Sequence, residues 1–175
     1  MSIILIGLPS CGKSTIGVIL AKRLGYKFID TDLVIQEKTG KLLHTIIAER
    51  GADGFLSLED EINCTVSDEN AVIATGGSAV YGKAAMEHFK SIGTVVYLKI
   101  SYKDMTRRLG DYVHRGVVLR DGQTLRSMYD ERCALYEKYA DIVIEEGDGK
   151  ISNTVSLIED ALTDFMNAKK TSKDI

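Results

Sequence analysis

Short apolar runs alternate with amphipathic stretches along the whole chain. Ser2–Ile6, Lys27–Asp30, Ala71–Thr75, Thr94–Lys99 and Asp141–Glu145 read as strands. Their interiors are rich in Val and Ile, and several are apolar on both faces, as in a parallel sheet covered by helices. Helical periodicity fills the intervals. Ile16, Ile19, Leu20 and Leu24 share one face of a helix over Lys13–Leu24, which Gly25 stops. Asp32–Thr39 is a short helix ended by Gly40, and Leu42–Arg50 is another that precedes Gly51. Asp53–Ser67 carries Phe55, Leu58, Ile62 and Val66 on one stripe. Ser101 to Asp104 has the spacing of a capping box and opens a helix to Leu109. Thr124–Ala140 repeats apolar residues at Leu125, Met128, Tyr129, Leu135 and Tyr139, and a last helix runs from Ile151 to about Met166. The polar tail, 169–175, is expected to fray.

This alternation predicts an α/β fold with a central five-stranded parallel sheet, flanked by helices in three α/β/α layers. A length of 175 residues without repeats or linkers suits one domain over 1–175. The apolar run before Gly7 is too short for a signal peptide or a membrane span. A net charge of −3 argues against a general nucleic-acid binder. Cys11, Cys64 and Cys133 form no C-x-x-C pair, which suggests free thiols in a reducing cytoplasm and no zinc site. No exposed apolar stripe stands out, so a monomer is expected.

The chemistry concentrates where the predicted strands end. Gly7-Leu8-Pro9-Ser10-Cys11-Gly12-Lys13-Ser14-Thr15 fits G-x-x-x-x-G-K-[ST], the P-loop, between a predicted strand and a predicted helix. Backbone N–H groups of such a loop wrap a polyphosphate, and the helix N-terminus adds partial positive charge. Lys13 is placed to reach the β- and γ-phosphates and the Ser14 hydroxyl to hold Mg²⁺. Cys11 lies beside Lys13 near a helix N-terminus, where thiolate is favoured, although a small residue that fits the loop explains it as well. Asp30-Thr31-Asp32 follows the second strand: one carboxylate suits Mg²⁺ through water and the other a substrate hydroxyl, while Thr31 or Asp32 equally suits the N-cap of the next helix. Gly76-Gly77 follows the third strand and permits close approach to a ligand, or an ordinary turn. Arg107, Arg108, Arg115 and Arg120 surround a polar segment over 110–122 that suits either a lid over ATP or a solvated loop.

Together, the P-loop, the Asp-x-Asp, the Gly76-Gly77 pair and Arg132-x-Ala-Leu-Tyr136 followed by Ala140-Asp141 resemble the shikimate kinase family, from Ile3 to about Ile144. The resemblance implies the P-loop kinase fold and ATP- and Mg²⁺-dependent conversion of shikimate to shikimate 3-phosphate, in aromatic amino-acid biosynthesis. It implies catalytic roles for Lys13, Asp32 and Arg115. It gives nucleotide contacts to Gly7, Ser10, Cys11, Gly12, Lys13, Ser14, Thr15, Arg108 (against adenine) and Arg115. The metal falls to Ser14 with Asp30 behind water. The acceptor falls to Asp32, Phe55, Leu56, Glu59, Gly76, Gly77, Ser78 and Arg132, within helices over 32–67 and their surroundings.

The chain departs from the family on the acceptor side. The family's Phe-Arg-x-x-Glu reads Phe55-Leu56-Ser57-Leu58-Glu59 here, so Leu56 replaces a carboxylate-binding Arg. Removing one partner of a buried charge pair costs about 2–5 kcal/mol, or roughly 30-fold or more in affinity. The family's lid sequence Arg-Pro-Leu-Leu reads Arg115-Gly116-Val117-Val118, and Ser78 stands where many members have Gly. Two other readings follow: a kinase of this fold with a different hydroxylated acceptor, and a non-catalytic nucleotide-binding relative. The complete ATP-side set argues against the second.

Overall fold

The computed structural model describes residues 1–110, 116–145 and 150–171. Five strands, β1 (Ser2–Ile6), β2 (Lys27–Asp30), β3 (Ala71–Ala74), β4 (Gly93–Lys99) and β5 (Ile142–Glu145), form one sheet in the order β2-β3-β1-β4-β5. Every pairing is parallel. β1 and β3 are buried along their whole length, as strands covered on both faces must be. The helices are α1 (Lys13–Leu24), α2 (Thr31–Thr39), α3 (Leu43–Asn63), α4 (Lys83–Ile92), α5 (Tyr102–Leu109), α6 (Leu125–Tyr139) and α7 (Ile151–Thr171). α1 and α7 pack together, while α4 and α6 lie against β4. Because β1 pairs with β3, and β3 with β2, the P-loop, the Gly76-Gly77 turn and the Asp30–Asp32 segment leave the same edge of the sheet side by side. None of the described helices is long and apolar enough to cross a membrane.

The structure revises several element boundaries. α1 buries Ile16, Gly17, Leu20 and Ala21, whereas Leu24, assigned to that face from periodicity, is exposed. The two helices expected over Leu42–Arg50 and Asp53–Ser67 join as α3, which kinks at Gly51, where φ is 71°. α3 ends at Asn63, short of Ser67. Its buried face carries Phe55, Glu59, Ile62 and Asn63, so two polar residues occupy positions that an apolar stripe would claim. α4 was absent from the elements read from periodicity, although Ala85, Met86 and Phe89 form its buried face. Asp60 of α3 fixes its start: Oδ1 accepts from the Ala85 N–H at 2.8 Å. α7 runs to Thr171, past Met166 and through the first residues of the tail expected to fray; 172–175 lie outside the described residues, as do 111–115 of the predicted lid.

Asp141 locks β5 to the sheet. Its backbone N–H donates to the Val95 carbonyl at 2.8 Å, and its Oδ2 accepts from the Val95 N–H at 2.9 Å. Lys90 of α4 donates to its Oδ1 at 3.1 Å. Val95 is fully buried, so its N–H has no recourse to water. Asp141→Ala is expected to destabilise the fold by about 1–3 kcal/mol in urea titration. Asp141→Asn, whose amide oxygen still accepts, is expected to keep most of that stability. Coincident midpoints for the alanine variant and the parent would show that the pair contributes nothing net.

Candidate active site

The loop between β1 and α1 turns on residues with positive φ: Gly7 at 149°, Ser10 at 64° and Gly12 at 90°. Gly12 is the N-cap of α1 and offers no side chain, and the first turn contains no acidic residue. The N–H groups of that turn and its partial positive charge are therefore left to an anion. Lys13 is only 8% exposed. Its Nζ donates to the carbonyls of Gly7 at 2.7 Å and Leu8 at 2.9 Å, and to Cys11 Sγ at 3.6 Å. The Cys11 thiol is buried in the main apolar core, so a nucleotide contact from Cys11 is confined to its backbone. Ser10, Gly12, Lys13, Ser14 and Thr15 all line one cavity of about 410 Å³.

Asp30 joins the loop to α2. Its Oδ2 accepts from the Ser14 hydroxyl at 2.7 Å, and its Oδ1 accepts from the Asp32 N–H at 3.0 Å. Asp30 is thus the N-cap of α2, a part the sequence left to Thr31 or Asp32. Thr31 instead accepts the Gly76 N–H on its Oγ1 at 3.2 Å. Relieved of capping, the Asp32 carboxyl lines the cavity. Burial, then the neighbouring negative charge of Asp30, raises it to about 6, against the opposing pull of Lys13.

Glu59 comes to the same point from α3. A Cβ placed on Gly76 would lie 2.4 Å from Glu59 Oε1 and 2.7 Å from Asp32 Oδ1, so any larger residue there would displace these carboxyls. Glu59 is 2% exposed and its Oε1 has no hydrogen-bond partner. Burial pushes its carboxyl up to about 8; Ser78 opposes the shift, Asp32 adds to it, and Arg132 and Lys13 oppose it.

Arg132 closes the far side. It lies on the α6 stripe Met128–Arg132–Tyr136, one helical turn apart each, and is 1% exposed. Its NH2 donates to the Val118 carbonyl at 2.6 Å, while its Nε is buried without a partner. It makes no ion pair among the described residues. Tyr136, a turn further along, donates its hydroxyl to the Gly77 carbonyl at 2.6 Å and stacks on Tyr97 of β4, so α6 is fastened to the acceptor turn.

Of the residues read from sequence, Asp32, Phe55, Gly76, Gly77, Ser78 and Arg132 share the cavity with the P-loop. Glu59 sits behind Gly76. Leu56 is half-buried in a second apolar cluster with Ile35, Ile46, Phe55 and Val118, rather than on the cavity wall. Arg108 lies in the last turn of α5, away from the lining, and Arg115 lies outside the described residues. Leu43, Thr75, Val117 and Val118 line the cavity without having been picked from the sequence. Gly116 packs so closely on Leu43 that a Cβ there would meet Leu43 Cβ at 2.8 Å. Nothing local in the chain signals that contact.

The shikimate kinase family model matches residues 9–163. A shikimate kinase 2 from Sodalis glossinidius is 42% identical over 108 residues, 62% of each chain. A shikimate kinase from Clostridium botulinum is 38% identical over 149 residues, covering 83% of this chain and 87% of that one. Among solved structures, a shikimate kinase from Acinetobacter baumannii in complex with shikimate has a TM-score of 0.85 at 30% identity, with 93% of each chain covered.

Two outcomes follow from the packing around Gly76. Gly76→Ala is expected to lower kcat/KM for the acceptor by about 100-fold or more, since both carboxyls must move, while calorimetry still finds nucleotide binding. Glu59 gives a pH signature. Its folded value of about 8 lies above the ordinary 4.5, so between these limits the folded state holds a proton that the unfolded chain releases. Stability therefore falls as pH rises through that window. Relative to Glu59→Gln, the parent is expected to lose on the order of 1 kcal/mol or more between pH 5 and pH 8 in urea titration. Parallel pH profiles for the two proteins would contradict the assignment.

Proposed function

Because this chain belongs to the shikimate kinase family, we propose that it transfers the γ-phosphoryl group of ATP to a hydroxyl of shikimate, giving shikimate 3-phosphate and ADP. One observation carries the reading. A phosphate loop, a perturbed carboxyl and a buried arginine with no counter-ion among the described residues line the same cavity of about 410 Å³. A cationic loop suits the nucleotide, and the unpaired guanidinium suits the carboxylate of a small acid.

In this reading the N–H groups at the start of α1 and the Lys13 ammonium hold the β- and γ-phosphates. The Ser14 hydroxyl and Asp30 carboxylate, 2.7 Å apart at the lip of the loop, form an all-oxygen pair that suits Mg²⁺, a cation that keeps waters and phosphate oxygens as its other ligands. Mg²⁺, when bound, offsets the charge of the phosphates. Arg132 takes the acceptor carboxylate and the Gly77 and Ser78 backbone flanks it. Asp32 orients the attacking hydroxyl and accepts its proton as the O–P bond forms. Its carboxyl, raised to about 6, is a stronger base than an ordinary aspartate and remains ionised at neutral pH. Arg115 and Arg108 keep the nucleotide roles that the family pattern suggests. We further propose a cytoplasmic monomer, in keeping with the three free cysteines.

Leu56 favours a second reading, in which the acceptor is a different hydroxylated small molecule with less charge to hold, because the side chain joins an apolar cluster and adds no cation. Coupled ADP release with Mg²⁺ATP and shikimate tests the two. Saturable turnover is expected, with Lys13→Ala lowering kcat by about 1,000-fold or more. Intact ATP binding without shikimate turnover would transfer support to the second reading. Undiminished turnover in Lys13→Ala would remove the assignment of the loop.

A further inference from the structure

Arg132 is held by surprisingly little. A single hydrogen bond, from NH2 to the Val118 carbonyl, is its polar contact within the described residues. Its other support is an aromatic ring: the guanidinium carbon lies 5.3 Å from the centroid of Tyr81. Tyr81 closes the one-turn 3-10 segment Ala79–Tyr81 that follows the Gly76–Ser78 turn. Its hydroxyl is buried and has no partner. What Tyr81 offers the two neighbouring guanidinium groups is its ring face.

A second guanidinium uses the same ring. Arg120 lies 4.6 Å from the Tyr81 centroid. Arg120 is itself anchored on α6, by an ion pair to Glu131 at 3.0 Å, and approaches Asp53 of α3 at 3.9 Å. It thereby ties the segment after residue 116 to α6 and to the helix that carries Glu59. Its charge is balanced by these carboxylates, whereas that of Arg132 is left for the cavity.

We propose that Tyr81 and Arg120 are positioning residues that set the orientation of Arg132 toward the acceptor's anionic group, and so determine acceptor affinity. This rests on the reading of Arg132 as the acceptor's cation. A guanidinium lying over a ring face loses freedom to rotate out of plane, and the attraction strengthens as water is excluded. With its orientation fixed, the Arg132 guanidinium, which lines the cavity, meets a carboxylate without the cost of ordering at the moment of binding.

Steady-state kinetics with shikimate tests the proposal. Tyr81→Leu and Arg120→Ala are each expected to raise acceptor KM by about three- to tenfold, with KM for ATP and kcat unchanged. Tyr81→Phe keeps the ring and is expected to keep the parent KM, a rescue that a mere loss of volume at Leu would not give. Arg120 is a partly exposed surface residue, so its alanine variant tests the idea even where Tyr81→Leu does not fold. Arg132→Lys separates the two layers of the argument. Unchanged acceptor KM in Arg132→Lys overturns the reading of Arg132 and the proposal with it. A raised KM there, with parental values in both Tyr81→Leu and Arg120→Ala, overturns the positioning role alone.

Discussion

A guanidinium buried to 1% exposure, with no counter-ion among the described residues, is the constraint around which the acceptor half of this protein is arranged. Removing a charge from water costs several kcal/mol unless partners replace the lost hydration. Among the described residues, Arg132 has the Val118 carbonyl, the Tyr81 ring and the more distant field of Glu59. The fold accepts that cost at one point because α6 is secured elsewhere, by the Tyr136–Gly77 hydrogen bond and the Tyr136–Tyr97 stack. In the function proposed above, the acceptor's anionic group would supply the charge that the described residues do not place beside Arg132.

The opposite sign of charge is treated in the opposite way. Asp32 and Glu59 meet at Gly76, where two carboxylates close together in a buried site resist ionising together. Raising both carboxyls leaves the site with less negative charge than its residue count suggests. That matters in a cavity that must admit a polyphosphate on one side and a small acid on the other. The parallel sheet makes the arrangement possible: adjacent strands deliver the phosphate loop, the Asp30–Asp32 segment and the glycine turn to one edge, and α3 and α6 bring in Glu59 and Arg132 from the sides.

Much of this was legible in the chain because it is local. The P-loop is nine contiguous residues whose backbone geometry follows from its glycines and from the strand and helix beside it. Asp30, Asp32 and Gly76 sit at strand ends, where the fold class alone places ligands. What periodicity does not show depends on packing between distant segments. Arg132 and Glu59 are marked by the family pattern, but their burial, like that of Asn63, is set by neighbours that α6 and α3 cannot announce. Tyr81 and Arg120 are 39 positions apart and meet only through the packing of the lid base on α6 and α3. α4 is different in kind: its apolar spacing, bounded by Gly82 and Gly93, is local to the chain.

The kink at Gly51 divides α3 into two halves that meet again in the second apolar cluster, through Ile46 on one side and Phe55 and Ile62 on the other. The first half carries Leu43 against Gly116 and Ile46 into the second apolar cluster; the other half holds Phe55, Glu59 and the Asp60 that anchors α4. A straight helix would transmit a change in either half along its axis as a tilt or a rotation. The non-helical backbone at Gly51 frees the two halves from a common axis. The bend at Gly51 therefore lets Leu43 and Phe55 reach one cavity from two directions, which a single straight axis would not provide.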